Sequence, residues 1–382
     1  MGVAEKKILI EFERSDNTTE NFRFGFRRFL EKIGCDYCFR YIKEIKKSDL
    51  EWCDVYIAVR PNSPMSLSIA KAIKKSGRPY IVFFDDDLLY RKDSIKWRNK
   101  SSKECLSVSD CVFGANPALC EDYGKYSKNY FSVNTAVDDN ELSNPSRSGN
   151  SVEFVYAAGM DHASIFEAVI KPCLKELLYE FHDRIHFTFI GVRPRLEDIG
   201  YPENFTYLPL MDLDKYAEYM RTHSFDIGLA PLKNDRFSNM KYFNKYIEYS
   251  KSAIAGIYSN IMPYTYAVSN DENGFLIDNN PVEWRAVMKE CIENIDKVRE
   301  CGLRAQDDLR SNFSLDQISR ELEEKLNEVI CDNEVTNVHW SKKRSIELMF
   351  MVLDKIGKLD NQIRSRGVTE TTRLVLGRIG KK

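Results

Sequence analysis

Much that would assign this chain quickly is missing from it. No apolar run approaches the ~18 residues that a membrane-crossing helix requires. Met1 to Lys7 lead straight into an apolar strand, so no secretory leader is expected. There is no G-x-x-x-x-G-K-[ST] loop, which argues against a kinase or another P-loop enzyme. The segment after the first strand, EFERSDNTTENF, contains no glycine. Ten cysteines are scattered along the chain, and Cys35 and Cys38 form a lone C-x-x-C with no second pair. Reduced thiols in a cytoplasmic protein are therefore expected, rather than a metal or redox centre. A net charge of −2 over 382 residues gives no reason to expect nucleic acid as a partner. The charge is unevenly spread: residues 340–382 hold eleven Lys/Arg against four Asp/Glu.

What the chain has is a rhythm. KKILIEFE (6–13) reads as an apolar strand, and Phe22, Phe26, Phe29/Leu30 and Ile33 repeat at helical spacing up to Gly34. Strands are expected at 35–42, 54–60, 79–85, 111–116 and 130–137, with a helix at 63–76 and a short one opening at Pro117. Asp138 to Asn150 is polar and aperiodic, a natural linker. The rhythm then restarts, with strands at 153–159, 186–191, 204–209, 226–231, 253–258 and 274–277. One long helix is expected at 164–181, another at 212–223, and helices at 282–330. Alternating strands and helices imply parallel, doubly wound sheets. The expected architecture is α/β: two Rossmann-like domains, 1–138 and 151–330, a linker at 139–150, a cleft between them, and a helical tail at 331–382. Ligands in such sheets bind beyond the carboxyl ends of the strands.

The stretch DIGLAPLKNDRFSNMKYFNKYIEY (226–249) is the most informative. A buried strand ends at Pro231, and a polar loop leads to a helix on which Lys245 and Glu248, three apart, share a face. A helix start with lysines beside it attracts phosphates, and a carboxylate further along suits sugar hydroxyls. A solvated Lys–Glu pair on a surface helix is the bland alternative. At the end of the fourth strand, Asp85, Asp86 and Asp87 could orient an acceptor hydroxyl, hold Mg²⁺, or merely start a loop.

Four segments together resemble the GT-B glycosyltransferases, in particular the retaining, metal-independent nucleotide-sugar enzymes. They are FGANPALCEDY…YFSVNTAVD (113–138), FVYAAGMDHASIFEAVIKPCLKEL (154–177), DIGLAPL…NMKYFNKYIEYSKSAIAG (226–256) and NGFLIDNNPVEW (273–284). PYIVFFDDDLLY (79–90) also resembles a D-x-D-D-x-L element of some bacterial members. The resemblance implies that Glu248 takes the donor ribose hydroxyls, as the second Glu of an E-x7-E motif. The first Glu would fall at Met240, so that half of the motif is absent, and Asn239 is the substitute at hand. It further implies that Phe243 and Asn244, with Lys241 or Lys245, cradle the diphosphate, and that Gly159, Asp161 and His162 form a loop facing the donor phosphates. Gly191, Arg193, Leu208 and Pro209 would frame the base. Asp85 or Asp86 would orient the acceptor.

The activity so implied is transfer of a sugar from a UDP- or GDP-linked donor to a glycan or lipid-linked glycan acceptor in bacterial surface polysaccharide or glycoconjugate synthesis. Retention and independence of metal come with the resemblance, and the nucleotide sugar is a co-substrate rather than a cofactor. Two rivals are kept: a catalytically inert GT-B-like glycan-binding or scaffold protein, and a mutase or epimerase. In the tail, Ile346, Met349/Phe350, Leu353, Ile356, Leu359 and Ile363 recur every three to four residues among basic ones. That pattern suits an anionic membrane surface on the inner face, self-association, or packing on the protein's own body.

Overall fold

The computed structural model describes residues 2–14, 17–90, 96–147, 151–159, 162–330, 335–342, 352 and 355. Of the helical tail expected at 331–382, residues 335–342 are described and are not helical, with Val338 buried in the core of the first half, and residues 352 and 355 are helical; the rest of the tail, like Asp161, lies outside the described residues.

Among the described residues twelve strands form two sheets of six, and every pairing within them is parallel. In the first half these are β1 (Lys7–Phe12), β2 (Asp36–Tyr41), β3 (Val55–Val59), β4 (Tyr80–Phe84), β5 (Cys111–Gly114) and β6 (Asn129–Ser132), in the order β2-β1-β3-β4-β5-β6. In the second half they are β7 (Val152–Ala157), β8 (Ile185–Ile190), β9 (Phe205–Leu208), β10 (Ile227–Ala230), β11 (Ala255–Ser259) and β12 (Phe275–Ile277), in the order β12-β11-β10-β7-β8-β9. Helices on both faces explain why the central strands β3, β4, β10 and β11 are buried at every residue.

Local chemistry sets the boundaries. Gly34 and Gly77 close helices in the left-handed region, with φ of +83° each. The Ser63 and Asn116 side chains accept from Ser66 N and Leu119 N, capping helices whose first residue is proline. Two expectations need correction. The helix expected at 164–181 is two, Ala163–Val169 and Lys171–Phe181, because Pro172 has no amide to continue the first. The strand expected at 130–137 stops at Ser132, and Val133 onward is the path out of the first half.

The chain crosses between the halves twice, side by side: Val137 N donates to Phe313 O at 2.7 Å, and Val137 bridges Ser314. After the second crossing the Leu315–Val329 helix returns to the first half. There Ile318, Leu322, Leu326 and Val329 join the core of Val3, Ile8, Ile10, Phe26 and Leu30. Among the described residues no helix is long and apolar enough to cross a membrane.

Candidate functional site

In a doubly wound sheet the crevice opens where neighbouring strands send their connections to opposite faces. The two sheets place that point at β1/β3 and at β7/β10, and the two crevices differ in what fills them.

At β1/β3 the crevice is filled from within. Glu13, 8% exposed, accepts from Asn62 N and Ser63 N at 2.9 Å each, at the start of the Pro64–Lys75 helix. Glu11 is fully buried; it accepts from the Tyr56 hydroxyl at 2.5 Å, and its other oxygen meets Ser66 Oγ. Ser66 Oγ also lies 2.5 Å from Glu13 Oε1. One serine hydroxyl has one proton and cannot donate to two carboxylates. Glu11 supplies the other: burial, then the negative charge of Glu13, pushes its pKa up to about 8. The neutral Glu11 carboxyl donates to Ser66 Oγ, which donates to Glu13.

At β7/β10 the crevice is open, a recess of about 240 Å³. Its floor is the strand ends, Tyr156 to Gly159 on one side and Leu229 to Pro231 on the other. Ile190, Leu210, Met211 and Leu213 form an apolar wall, and the polar end is His162, Tyr216, Lys245 and Glu248. The Tyr216 hydroxyl donates to Glu248 Oε2 at 2.9 Å, and Lys245 Nζ meets the same oxygen while lying 3.4 Å from the Tyr216 hydroxyl. Burial and the adjacent Glu248 push the Tyr216 phenol well above its ordinary range, so it stays a donor. Glu248 Oε1 has no protein partner among the described residues. Phe243, fully buried in the second core, opens the Asn244–Lys251 helix without a side-chain cap, leaving the first amides of that turn uncapped. An apolar wall, an anchored carboxylate with a spare oxygen, a lysine and a glycine turn make a site for a polar ligand with one apolar part.

The structure thus brings together Gly159, His162, Lys245 and Glu248. Other expected residues stand elsewhere. Arg193 lies over the Tyr207 ring at 4.9 Å and does not line the recess. Leu208 is partly buried in the core beneath, Pro209 is exposed, and the lining at that edge is Leu210 and Met211. Gly191 shapes the wall without lining it: its φ is +84°, and a Cβ there would sit 2.8 Å from Ala158 O. Lys241 lies over Phe237 at 5.2 Å, outside the recess, and Asn244 is exposed beside it. The Asp triplet splits. Asp85 takes both prongs of Arg60, Asp86 lies 3.4 Å from the same guanidinium, and Asp87 faces away, its buried carboxylate paired with the exposed Arg236. Among the described residues no group of three His, Cys, Asp or Glu is arranged to hold a metal. Asn239, expected as a substitute for the missing carboxylate, donates to Asn234 Oδ1 at 3.2 Å. Sequence reasoning missed Tyr216, one of two tyrosines on the exposed-looking Leu213–Thr222 helix, with no local signal of its role.

Two six-stranded parallel sheets joined in this order have solved counterparts. Sucrose-phosphate synthase from Thermosynechococcus elongatus superposes with a TM-score of 0.65 at 9% identity, over 85% of this chain and 99% of that one. The fold is GT-B. Two further solved structures agree. Anabaena HepE, solved with UDP-glucose, gives a TM-score of 0.61 at 12% identity over 85% of this chain and 100% of that one. A glycosyltransferase from Rickettsia africae gives 0.62 at 12% over 86% and 100%. No protein-family model and no curated protein matches the chain. The GT-B architecture expected from the residues is therefore the one found, and the open recess lies in its second domain.

Proposed function

We propose that this chain is a glycosyltransferase that moves a sugar from a nucleoside-diphosphate donor, UDP- or GDP-linked, to a hydroxyl of a glycan or lipid-linked glycan. The observation that carries the reading is the Tyr216–Glu248–Lys245 cluster at the open β7/β10 crevice, opposite an apolar wall. UDP and UDP-glucose bound to Anabaena HepE support it, as does UDP bound to TarM of S. aureus.

In this reading the base lies against the wall of Ile190, Leu210 and Met211, and Glu248 Oε1 accepts from the ribose hydroxyls. Lys245, the amides near Phe243 and Asn244, and the Gly159–His162 loop face the diphosphate. The bond from the anomeric carbon to the phosphate oxygen breaks as the bond to the acceptor oxygen forms, and Lys245 stabilises the charge left on the nucleoside diphosphate. The acceptor proton passes to the departing phosphate oxygen on the same face, giving retention without a metal. Asp85 and Asp86, fixed by Arg60, orient the acceptor. Lys241 supplies positive charge at the recess edge, and Gly191, Arg193, Leu208 and Pro209 back the base pocket. The domain limits proposed are 1–138 and 151–330. The protein works in the cytoplasm on surface polysaccharide or glycoconjugate, and its basic tail meets an anionic membrane or a second copy.

The test is a thermal-shift screen against UDP, GDP, ADP, dTDP and CMP, with and without EDTA, on wild type and Glu248→Gln. A ligand at a hundred times its Kd stabilises by about 2.7 kcal/mol. A carboxylate–hydroxyl bond is worth roughly 1.5–3 kcal/mol, so Glu248→Gln should weaken binding about 10- to 100-fold. One diphosphate should shift the melt regardless of EDTA. No shift from any nucleotide would sink the reading in favour of an inert scaffold, to which Met240 in place of a carboxylate would then belong.

A further inference from the structure

Residues 235–243 connect β10 to the helix bearing Lys245 and Glu248, and they are held by the other domain. The Arg236 guanidinium donates to Asp87 Oδ2 at 2.8 Å and to Asp122 Oδ2 at 2.6 Å, and lies 4.1 Å from the Tyr90 ring centre. The Asp87 side chain is only 2% exposed, and its other oxygen accepts from the Tyr123 hydroxyl at 3.0 Å. Met240 is 8% exposed and belongs to the first domain's core with Phe84, Leu89 and Leu119. Asn116 Nδ2 donates to the carbonyls of Lys241, at 2.5 Å, and Asn239, at 3.3 Å. Thr135 N donates to the Tyr242 hydroxyl at 3.0 Å, while the next residue, Phe243, is fully buried in the second domain's core.

A nine-residue segment with an ion pair, an apolar plug and backbone clamps on one domain, and a core phenylalanine in the other, is a strut. A buried carboxylate satisfied from across the interface makes the joint specific, because separating the domains takes from Asp87 the cation that pairs with it and leaves it, among the described residues, the Tyr123 hydroxyl alone. We infer that Arg236 is a positioning residue: through Asp87 it fixes the start of the Asn244–Lys251 helix and so couples the first domain to the donor end of the cleft. Met240 is the mechanical partner of that ion pair, a plug rather than a ligand contact. This rests on the proposed donor site for its consequence, but not for its mechanics.

Hydrogen exchange of the 244–251 helix in the full chain tests it, with the Lys171–Phe181 helix as internal control. Arg236→Ala and Asp87→Asn should each speed exchange of 244–251 by about tenfold, the scale usual for coupling between sites. The double variant should be no worse than the worse single one, Arg236→Lys should restore part of the protection, and the control helix should not change. Nucleotide affinity should fall in the same order. Unchanged exchange at 244–251 in Arg236→Ala and Asp87→Asn would overturn the inference, as would equal acceleration of the control helix. If the wild type binds no nucleoside diphosphate, the proposed function fails, and the exchange data still decide the strut.

Discussion

Replacing Glu11 by glutamine should make the protein more stable in mild alkali. In the folded chain the Glu11 carboxyl holds its proton to about pH 8, against an ordinary 4.5. The native state binds that proton more tightly than the unfolded chain, so this group's contribution is complete below pH 4.5 and is lost as pH rises through 8. Each unit is worth about 1.36 kcal/mol, which makes the swing from 4.5 to about 8 roughly 5 kcal/mol. Glutamine is close in shape to the neutral acid. Its amide can donate to Ser66 Oγ and its carbonyl can accept from the Tyr56 hydroxyl, the two contacts Glu11 makes. Urea unfolding at intervals from pH 4.5 to 9 should show wild type losing stability relative to Glu11→Gln across the window, with the variant ahead at the alkaline end. Taking the difference between the two profiles cancels the carboxylates remote from Glu11 and leaves the Glu11–Glu13 pair. Parallel profiles would refute the shared-proton arrangement, and a Glu11→Gln chain less stable at every pH would show that the contacts are not those of a neutral acid.

Three other perturbations follow from the geometry. Gly191→Ala places a side chain at φ +84° and 2.8 Å from Ala158 O; it should cost about 1–3 kcal/mol by denaturant titration and weaken nucleotide binding, since the wall of the recess must move. Gly302→Ala would put a Cβ 2.1 Å from Ala253 O, a backbone atom that cannot swing aside. A melting curve should show a loss of about 2 kcal/mol or more, with ligand affinity per folded molecule unchanged. Lys245→Met should lower affinity for a nucleoside diphosphate by roughly tenfold while leaving the nucleoside almost unaffected, and should flatten the salt dependence of binding in calorimetry.

The fold was legible because parallel sheets write themselves as short apolar runs with helical periods between, and β1, β3, β4, β10 and β11 all do so. The break at Ile170 was legible in principle, since Pro172 stands in the pattern, but a continuous apolar face hid it. Lys245 and Glu248 could be found because they are three apart on one helix next to a strand end. Tyr216 could not, since its role depends on a helix 29 residues away in sequence approaching to hydrogen-bonding distance. Asp87 and Arg236 were opaque for the same reason: 149 residues separate them, and each alone reads as a solvated loop charge. Asp85, Asp86 and Asp87 read as one cluster, yet they lie past the end of β4, where the chain bends and strand alternation no longer applies, and only the structure separates the pair on Arg60 from the residue that reaches Arg236.

The return of the Leu315–Val329 helix to the first domain bears on how the protein is made. That domain's core needs Ile318, Leu322 and Leu326, and Val338 is fully buried beside the other face of its sheet. The ribosome delivers these residues almost 200 positions after the last strand of the sheet they cover. The second domain, contiguous between its two crossings at Val137 and Phe313, has all its strands and can close first. The half synthesised earlier is thus the half finished later, and during that wait the surface destined for the returning helix stands open to chaperones and to other nascent chains.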